Sequence, residues 1–288
     1  MSDKIFNVFN FTLSTVLFAV VLYPIIFVIS SSFSEPAAVI SGQVRFFPVG
    51  FSLEGYRAVF RHSQIVRGFL NSFWYMGVGT SINIVLTILA AYPLSRKDFV
   101  DRNKFMMLFA FTMLFSGGMI PTFLLVRNLG LIDTRWAMVL PNAMGVFNVV
   151  VVRTFFQNTI PDELLESAQL DGCSDFSFVR CVVIPLSGPI IAVQVLFYSL
   201  GHWNAFFNGL IYLRNSDLYP LQLILRNILL LNQLDEGMID VTDAAQREWV
   251  AALLRYSLIV VSSLPFMILY PLVQKFFVKG MLVGAIKG

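Results

Sequence analysis

Residues 160–189 of the chain, IPDELLESAQLDGCSDFSFVRCVVIPLSGP, form a polar interruption between apolar runs in its second half. Pro161 suits the first position of a helix, because the N–H that proline lacks would have no helical partner there. Gly172 is expected to end that helix, since glycine takes the left-handed backbone conformation without a steric penalty. Ser174 is a good cap for a second helix. The pattern predicts two short helices joined at a glycine, and we call residues 160–189 the bracket.

The bracket is predicted to lie outside a membrane and to expose a small apolar face. Asp162 and Glu163 place negative charge at the positive end of the first helix dipole. Leu164, Leu165 and Ala168 form the apolar face on the same helix. An exposed apolar face of this kind favours a protein partner. The rest of the chain is therefore interpreted as the part that holds the bracket in place.

The composition is that of a protein whose surroundings are partly lipid. Of the 288 residues, 57% are hydrophobic and 13% are charged, whereas a soluble domain carries about 25% charged residues. The net charge of +3 is too small and too scattered to favour nucleic acid as a partner. The two cysteines, Cys173 and Cys181, fall short of the about four ligands that a zinc site needs. We interpret them as small packing residues, and no metal is predicted.

Six apolar runs reach or approach the about 20 residues that a helix needs to cross a bilayer. They cover residues 5–34, 68–95, 105–126, 136–152, 181–213 and 256–274. The prediction is an all-α membrane protein with six transmembrane helices. Residues 1–67 would hold the first transmembrane helix and an external loop. Residues 68–288 would form a core with the other five helices, and the bracket would place its short helices at residues 160–181.

The side of the membrane follows from one short basic loop. An even number of spans puts both termini on the same side, and the total number of basic residues is equal on the two sides. Residues 96–104 carry Arg96, Lys97, Arg102 and Lys104, and the positive-inside rule gives most weight to short loops. Both termini and the bracket are therefore predicted to lie in the cytoplasm.

Chemistry carried by the chain itself is not indicated. The sequence has no Gly-Lys dipeptide and therefore no phosphate-binding loop of the Walker type, and it has no His-Glu-x-x-His. A membrane enzyme is disfavoured for these reasons. An ion-gradient-driven secondary transporter remains the alternative from another class, but it would favour carboxylates inside broken helices of symmetric halves. None of the six apolar runs contains Asp or Glu.

The spacing within the bracket resembles the EAA signature of permease subunits of bacterial ABC importers. That pattern is Glu-Ala-Ala, three residues, Gly, nine residues and Ile-x-Leu-Pro. The chain matches it with Glu166-Ser167-Ala168, Gly172 and Val182-x-Ile184-Pro185. Ser167, Val182 and Ile184 are conservative departures, and the spacing is intact.

Two further segments resemble the carbohydrate-uptake permeases of the maltose-transporter type. The chain ends in LVGAIKG at residues 282–288, and it carries HWNAFFN at residues 202–208. Residues 115–122, FSGGMIPT, together with the loop at residues 218–223, suggest the branch that imports complex oligosaccharides. The resemblance covers most of the second half of the chain.

This resemblance implies a type I ABC importer permease fold in the bacterial cytoplasmic (inner) membrane. The bracket would be the coupling helix that docks on a separate ATPase subunit. The partners would be a second permease subunit, two ATPase subunits that bind ATP and Mg, an extracytoplasmic solute-binding protein, the oligosaccharide and membrane lipid. The residues implied in coupling are Leu164, Leu165, Glu166, Ser167, Ala168, Asp171 and Gly172. The alternative is an ordinary cytoplasmic hairpin in which the glycine is only a helix cap.

A second candidate site is formed by Trp203, Asn204, Phe207 and Asn208. Polar side chains in a membrane span are costly and usually face a cavity or another helix. On a continuous helix Trp203 and Phe207 would share one face, and Asn204 and Asn208 the adjacent face. Aromatic rings beside amides suit a sugar. The alternative is a tryptophan at the membrane interface with asparagines that join helices.

Overall fold

The structure of the chain, a computed structural model, describes residues 2–231 and 244–285. Within these ranges it is built from helices and contains no strand. A single isolated antiparallel bridge joins Ser34 and Phe51. The acidic stretch at residues 235–243 and the last three residues, which complete the C-terminal motif, lie outside the described residues.

The helices have the following bounds in chain order: α1 (Ser2–Ser32), α2 (Pro36–Ile40), α3 (Glu54–Arg61), α4 (Ser63–Ser95), α5 (Arg102–Leu114), α6 (Met119–Asn128), α7 (Trp136–Val139), α8 (Val146–Thr159), α9 (Asp162–Leu170), α10 (Asp175–Phe178), α11 (Ile184–Leu186), α12 (Gly188–Trp203), α13 (Phe206–Tyr212), α14 (Leu221–Leu231) and α15 (Ala244–Ala285). Short 3₁₀ turns cover Leu140–Asn142 and Ser216–Leu218, and a π-helical turn covers Val179–Val183.

Three segments are long and apolar enough to cross a bilayer as single helices, namely Lys4–Ser32, Ser63–Ser95 and Leu254–Pro271. The other apolar runs form bent pairs of helices. Arg102–Leu114 and Met119–Asn128 meet at 110°, Trp136–Asn142 and Val146–Thr159 at 53°, and Asp175–Leu186 and Gly188–Trp203 at 83°. Six spans result only when each bent pair is taken as one crossing.

The run at residues 105–126 therefore does not form the single straight helix that its composition predicted. α5 ends at Leu114, and α6 begins at Met119 after a four-residue segment that is not helical. Gly118 has a φ of 83°, which only glycine adopts at little cost. The consecutive Gly117 and Gly118 thus allow the chain to turn sharply in the middle of an apolar run.

The chain divides into two compact units, and the first consists of Met1–Gly68 and Leu221–Leu264. Serines at the end of α1 organise the loop that follows it. The Ser30 hydroxyl donates to the Phe46 carbonyl oxygen at 2.7 Å, and the Ser34 hydroxyl accepts from the Val49 N–H at 3.0 Å. The Ser257 hydroxyl of α15 donates to the Ser32 carbonyl oxygen at 3.4 Å. Side-chain hydrogen bonds therefore fold this loop back on the end of α1.

The second unit consists of Phe69–Pro220 and Pro265–Gly288 and contains the bracket. An apolar core of this unit joins α4, α8, α12 and both helices of the bracket. The fully buried members are Ala91, Val149, Phe178 and Val183, each with 0% exposure. The bracket is thus packed into the unit that carries it.

A polar seam joins α4 to α12 within the second unit. The side chains of α4 that take part lie three and four residues apart and so share one helix face. The pairs are Asn83 with His202 at 2.6 Å, Thr87 with Tyr198 at 2.7 Å and Thr80 with Ser199 at 3.3 Å. A Cβ atom on Gly79 would overlap the imidazole of His202, so glycine is required where the two helices approach. Such hydrogen bonds hold helices together where lipid offers no partner.

Candidate functional site

The bracket forms the helix–glycine–helix arrangement that its sequence predicts. α9 begins at Asp162 with Pro161 as its N-cap, one position earlier than expected for the proline. Gly172 has a φ of 74°. The N–H of Gly172 donates to the Gln169 carbonyl oxygen at 3.0 Å, and the N–H of Cys173 donates to that of Ala168 at 2.9 Å. These bonds close the end of the helix around a left-handed glycine.

The second helix of the bracket is capped by Ser174. Its hydroxyl accepts from the Ser177 N–H at 3.4 Å, which is the predicted capping role. α10 is short and continues into the π-helical turn Val179–Val183 and then into α11. Pro185 lies within α11. The bracket therefore leads without a loop into the apolar run that contains α12.

The apolar side chains of the bracket divide between its inner and outer faces. Leu165 is 4% exposed and lies in the core of the second unit, and Ala168 packs against the same core. Leu164 is 39% exposed, Leu170 is 90% exposed and Phe176 is 71% exposed. Leu165 and Ala168 thus hold the bracket to its own chain, although the sequence had grouped them with Leu164 as a face for a partner.

On α9 and α10, the two helices of the bracket on either side of Gly172, the large apolar side chains that are exposed are Leu164, Leu170 and Phe176, which we call the bracket rim. The sequence pattern did not single out Leu170 or Phe176, although both lie within four residues of Gly172, where the chain turns. Glu166, Ser167, Asp171 and Gly172 are exposed. The coupling role of these residues stays a prediction.

An ion-pair cluster attaches the start of α9 to the basic loop after α4. The Asp162 carboxylate lies 2.8 Å from Lys97 Nζ and 3.2 Å from Arg96 Nη2. The hydrogen bond from Lys97 holds the pKa of Asp162 below its usual value, and the positive charges of Lys97, Arg96 and Arg102 add to this effect. The Arg96 side chain is only 12% exposed. Movement of the bracket is therefore linked by charge to the end of α4.

A cavity of about 370 Å³ lies at this junction. Its lining includes Tyr92 from α4, Arg102 from α5, Gln157 from α8 and Glu163 from α9. Arg153 of α8 donates from Nε to the Leu94 carbonyl oxygen at 2.8 Å. The start of α9 thus lies at a polar junction with α4, α5 and α8.

The segment from Trp203 to Asn208 does not form a continuous helix, although the predicted helix faces of these residues required one. α12 ends at Trp203 and α13 begins at Phe206. Between them the Phe206 N–H donates to the Asn204 carbonyl oxygen at 2.8 Å, which closes a tight turn. The expected pairing of Trp203 with Phe207 on one face, and of Asn204 with Asn208 on the next, is therefore wrong.

Trp203 is buried among aromatic side chains. It is 1% exposed, and its ring centroid lies 5.2 Å from that of Phe73, 5.9 Å from Phe266 and 6.2 Å from Phe69. Such distances are typical of packed aromatic clusters. This environment favours the packing role for Trp203 over contact with a sugar.

The other three candidates of this segment have different surroundings. Asn204 and Phe207 are exposed, and Asn208 is half-buried. The four residues therefore do not present one common surface. A contact between Asn204, Phe207 or Asn208 and a substrate stays a prediction.

A hydrogen-bonded clamp that sequence patterns did not indicate holds residues 214–219. The Asp133 carboxylate accepts from the N–H groups of Asn215 at 2.8 Å and Arg214 at 2.9 Å. These two bonds, that from Asn215 first, hold the pKa of Asp133 below its usual value. Tyr75 donates to the Leu218 carbonyl oxygen at 2.7 Å. Asp133 has a φ of 61°, a conformation that aspartate adopts more readily than most residues. The aspartate itself is thus the feature of the local sequence that is consistent with the turn.

Known proteins resemble the chain over its entire length. No protein-family model matches it. It is 38% identical over 288 residues to the polygalacturonan/rhamnogalacturonan transport system permease protein YtcP of Bacillus subtilis (strain 168), and the match covers 100% of both chains. The chain belongs to the family of sugar-transporting ABC permeases. Protein LplC of the same organism is also 38% identical, over 100% of this chain and 96% of its own length.

A solved structure agrees with this assignment. The crystal structure of a bacterial ABC transporter involved in the import of the acidic polysaccharide alginate contains a chain that matches with a TM-score of 0.89 and 32% identity. The match covers 96% of this chain and 98% of that one. This ABC permease is accordingly a multi-pass protein of the cytoplasmic membrane, and its role is transport rather than catalysis.

Proposed function

We propose that this permease carries an oligosaccharide across the cytoplasmic membrane as one subunit of an ATP-driven importer. The polygalacturonan and rhamnogalacturonan transport of YtcP and the alginate import of the solved transporter support a substrate of several sugar units. An extracytoplasmic solute-binding protein delivers the substrate. A second permease subunit completes the pathway, and two separate ATPase subunits bind ATP and Mg.

Six crossings with both termini in the cytoplasm are part of the proposal. Each of the three bent helix pairs then makes one crossing. The ion pairs of Asp162 with Arg96 and Lys97 support the orientation, because they bring the bracket and the basic loop to the same side. The positive-inside rule puts that basic loop in the cytoplasm.

The bracket is proposed as the coupling element of the importer. The observation that carries this role is an exposed apolar rim on a firmly held support. Leu170 and Phe176 are largely exposed, whereas Leu165 and Phe178 anchor the same two helices in the core. An apolar surface that is fixed in this way can transmit a movement, because it moves as a unit with the helices beneath it.

The contacts that attach the bracket to the rest of the second unit indicate where a movement of the rim would be passed on. When the ATPase subunits move the rim, the ion pairs of Asp162 draw the end of α4 along. The core formed by Phe178 and Val183 passes the same movement towards α12. Closure of the ATPases is thereby converted into rearrangement of the membrane helices.

Replacing Leu170 by Asp tests the coupling role. The side chain is 90% exposed, so the permease is expected to fold and insert normally. A charge in the centre of an apolar contact is expected to weaken ATPase binding about thirtyfold, the range of a central interface residue. Copurification of the ATPase subunits and ATP-driven sugar uptake by proteoliposomes are the measurements.

Val100→Asp is the matched control, because Val100 is 91% exposed on the neighbouring basic loop. It introduces the same charge next to the bracket but outside the rim. The control is expected to retain both ATPase binding and uptake. If Leu170→Asp also retained them, the bracket rim would not be the docking surface.

A further inference from the structure

Two tryptophans and an arginine form a cluster in the second unit that the proposed transport mechanism does not use. The rings of Trp74 on α4 and Trp136 at the start of α7 meet edge to face, with centroids 5.8 Å apart. Trp136 is 45% exposed, and Trp74 is half-buried. An exposed indole beside a supporting aromatic ring offers a flat apolar surface of the size of a sugar ring.

The guanidinium group of Arg135 is held next to these rings. Its Cζ lies 5.3 Å from the centroid of the Trp74 ring, and its Nη2 donates to Asn71 Oδ1 at 3.2 Å. Asn71 is 2% exposed and is itself fixed, because its amide donates to the carbonyl oxygens of Asp217 at 2.7 Å and Tyr219 at 3.2 Å. Arg135 is therefore oriented before any ligand arrives.

The charge of Arg135 is not neutralised within the part of the chain that the structure describes. No carboxylate of those residues lies within 4 Å of it, whereas Arg96 is paired with Asp162. Arg135 is exposed, and a guanidinium has five N–H donors, of which most remain available. A planar fork of this kind binds a carboxylate through two parallel hydrogen bonds.

Space for a ligand adjoins the cluster. A shallow, open and mostly apolar groove begins at Phe73 and Trp74 and continues along α4 past Gly77 and Ser81. An aromatic platform, an oriented cation and an adjoining open groove are thus present together.

We propose that Arg135, Trp136 and Trp74 form a subsite for a uronic acid unit of the transported oligosaccharide. The carboxylate of the sugar pairs with Arg135, and the sugar ring stacks on Trp136. A neutral hexose stacks equally well but leaves the guanidinium without its partner, so the subsite selects acidic over neutral chains. The subsite rests on the proposed function, since it requires that the permease transports an oligosaccharide.

The test uses the complete transporter in proteoliposomes with its solute-binding protein. ATP-driven uptake is measured for trigalacturonate and for the same trisaccharide as its methyl ester, which removes the charge and keeps the rings. The binding protein is common to all variants, so a change in the ratio of the two uptake rates comes from the permease. Arg135→Gln is expected to lower the uptake of the acid about tenfold or more relative to the ester.

Arg127→Gln is the matched control, because Arg127 is an exposed arginine at the end of α6. It makes the same change of charge outside the cluster and is expected to leave the acid-to-ester ratio unchanged. Arg135→Lys keeps the charge without the fork and is expected to give an intermediate ratio. These results would support the subsite.

Two results would overturn the subsite and leave the proposed function intact. One is equal loss of acid and ester uptake in Arg135→Gln, which would assign Arg135 to holding Asn71. The other is a wild-type transporter that takes up the ester in preference to the acid. Failure of the wild-type transporter to take up any oligosaccharide would instead contradict the proposed function itself.

Discussion

The structures of the bracket and of the Trp203–Asn208 segment were both predicted from the sequence, but only the prediction for the bracket agrees with the observed helices. In the bracket the two helices, the serine cap and the left-handed glycine all occur where the sequence placed them. In the second segment the helix stops at Trp203, and the expected faces do not exist. A prediction made from backbone chemistry was accurate, and one made from side-chain periodicity failed.

The difference follows from the range of the interactions. Gly172 turns the chain through hydrogen bonds to residues three to five positions away, so its conformation is encoded locally. The surroundings of Trp203 are set by Phe69, Phe73 and Phe266, which are remote in the sequence. Local rules do not report such neighbours, and the same residue types fit a sugar site and an aromatic core.

Gly172→Val tests the backbone side of this comparison and is expected to have the largest effect. A valine at a φ of 74° is strained by about 1–2 kcal/mol, and the strain is relieved by reshaping the turn. No atom lies within 4 Å of the added Cβ, so the change acts on the backbone alone. Sugar uptake is expected to be lost and ATP hydrolysis to become independent of the substrate, while the permease remains in the membrane.

The control for this change is Gly42→Val. Gly42 has a φ of 70°, and its added Cβ also has no neighbour within 4 Å. The two variants therefore carry the same backbone strain on different loops. Loss of uptake in both would show that strain in general impairs the transporter, and retained uptake in Gly172→Val would remove the bracket turn from the mechanism.

Trp203→Ala tests the side-chain part of the comparison and is expected to have the next largest effect. Removing a fully buried tryptophan costs about 3–5 kcal/mol of stability, so less assembled complex and a lower midpoint of thermal unfolding are expected. Phe207→Ala is the control, because Phe207 is 51% exposed and such changes usually stay within about 0.5 kcal/mol. A stable Trp203→Ala complex with weak uptake would restore the sugar-contact interpretation.

Much of the helical framework could be predicted from composition. The apolar run at residues 68–95 lies within α4, and the run at residues 5–34 nearly coincides with α1. The bend between Leu114 and Met119 could not be predicted by counting apolar residues, because one straight helix and a bent pair of helices can have the same apolar composition. Its signal was the pair Gly117 and Gly118, which the family resemblance had noted only as part of a motif.

The candidate sites were predictable to a smaller extent. Leu165 and Leu164 are adjacent on a short helix, and only the position of the core decides that Leu165 is the buried one. The contacts of Arg135 with Asn71 and Trp74 join parts of the chain that are far apart in sequence. A single sequence contains no information on such pairs beyond the residue types, which are common at membrane interfaces.

Asp162→Asn is expected to have the smallest effect. It tests whether the ion pairs of Asp162 help to attach the bracket to the loop after α4, since the turn of the bracket itself is determined by local sequence. The lowered pKa of Asp162 means that its ion pairs stabilise the fold above the unfolded-chain pKa of about 3.9. This contribution is lost as the pH falls through the still lower pKa of the folded protein. Asp162 is one-third exposed, so the contribution is limited to about 0.2–1 kcal/mol.

Unfolding midpoints of the purified complex at a series of pH values from 7 to 3 provide the measurement. Wild type and Asp162→Asn are expected to differ most at neutral pH and to converge in acid, because the protonated aspartic acid no longer forms the pairs with Arg96 and Lys97. Glu163→Gln changes the neighbouring acid, which forms no ion pair with the described residues, and should follow the wild type throughout. If the curves of wild type and Asp162→Asn stayed parallel down to pH 3, the ion pairs would contribute nothing to the attachment, and apolar packing around Leu165 would hold the bracket alone.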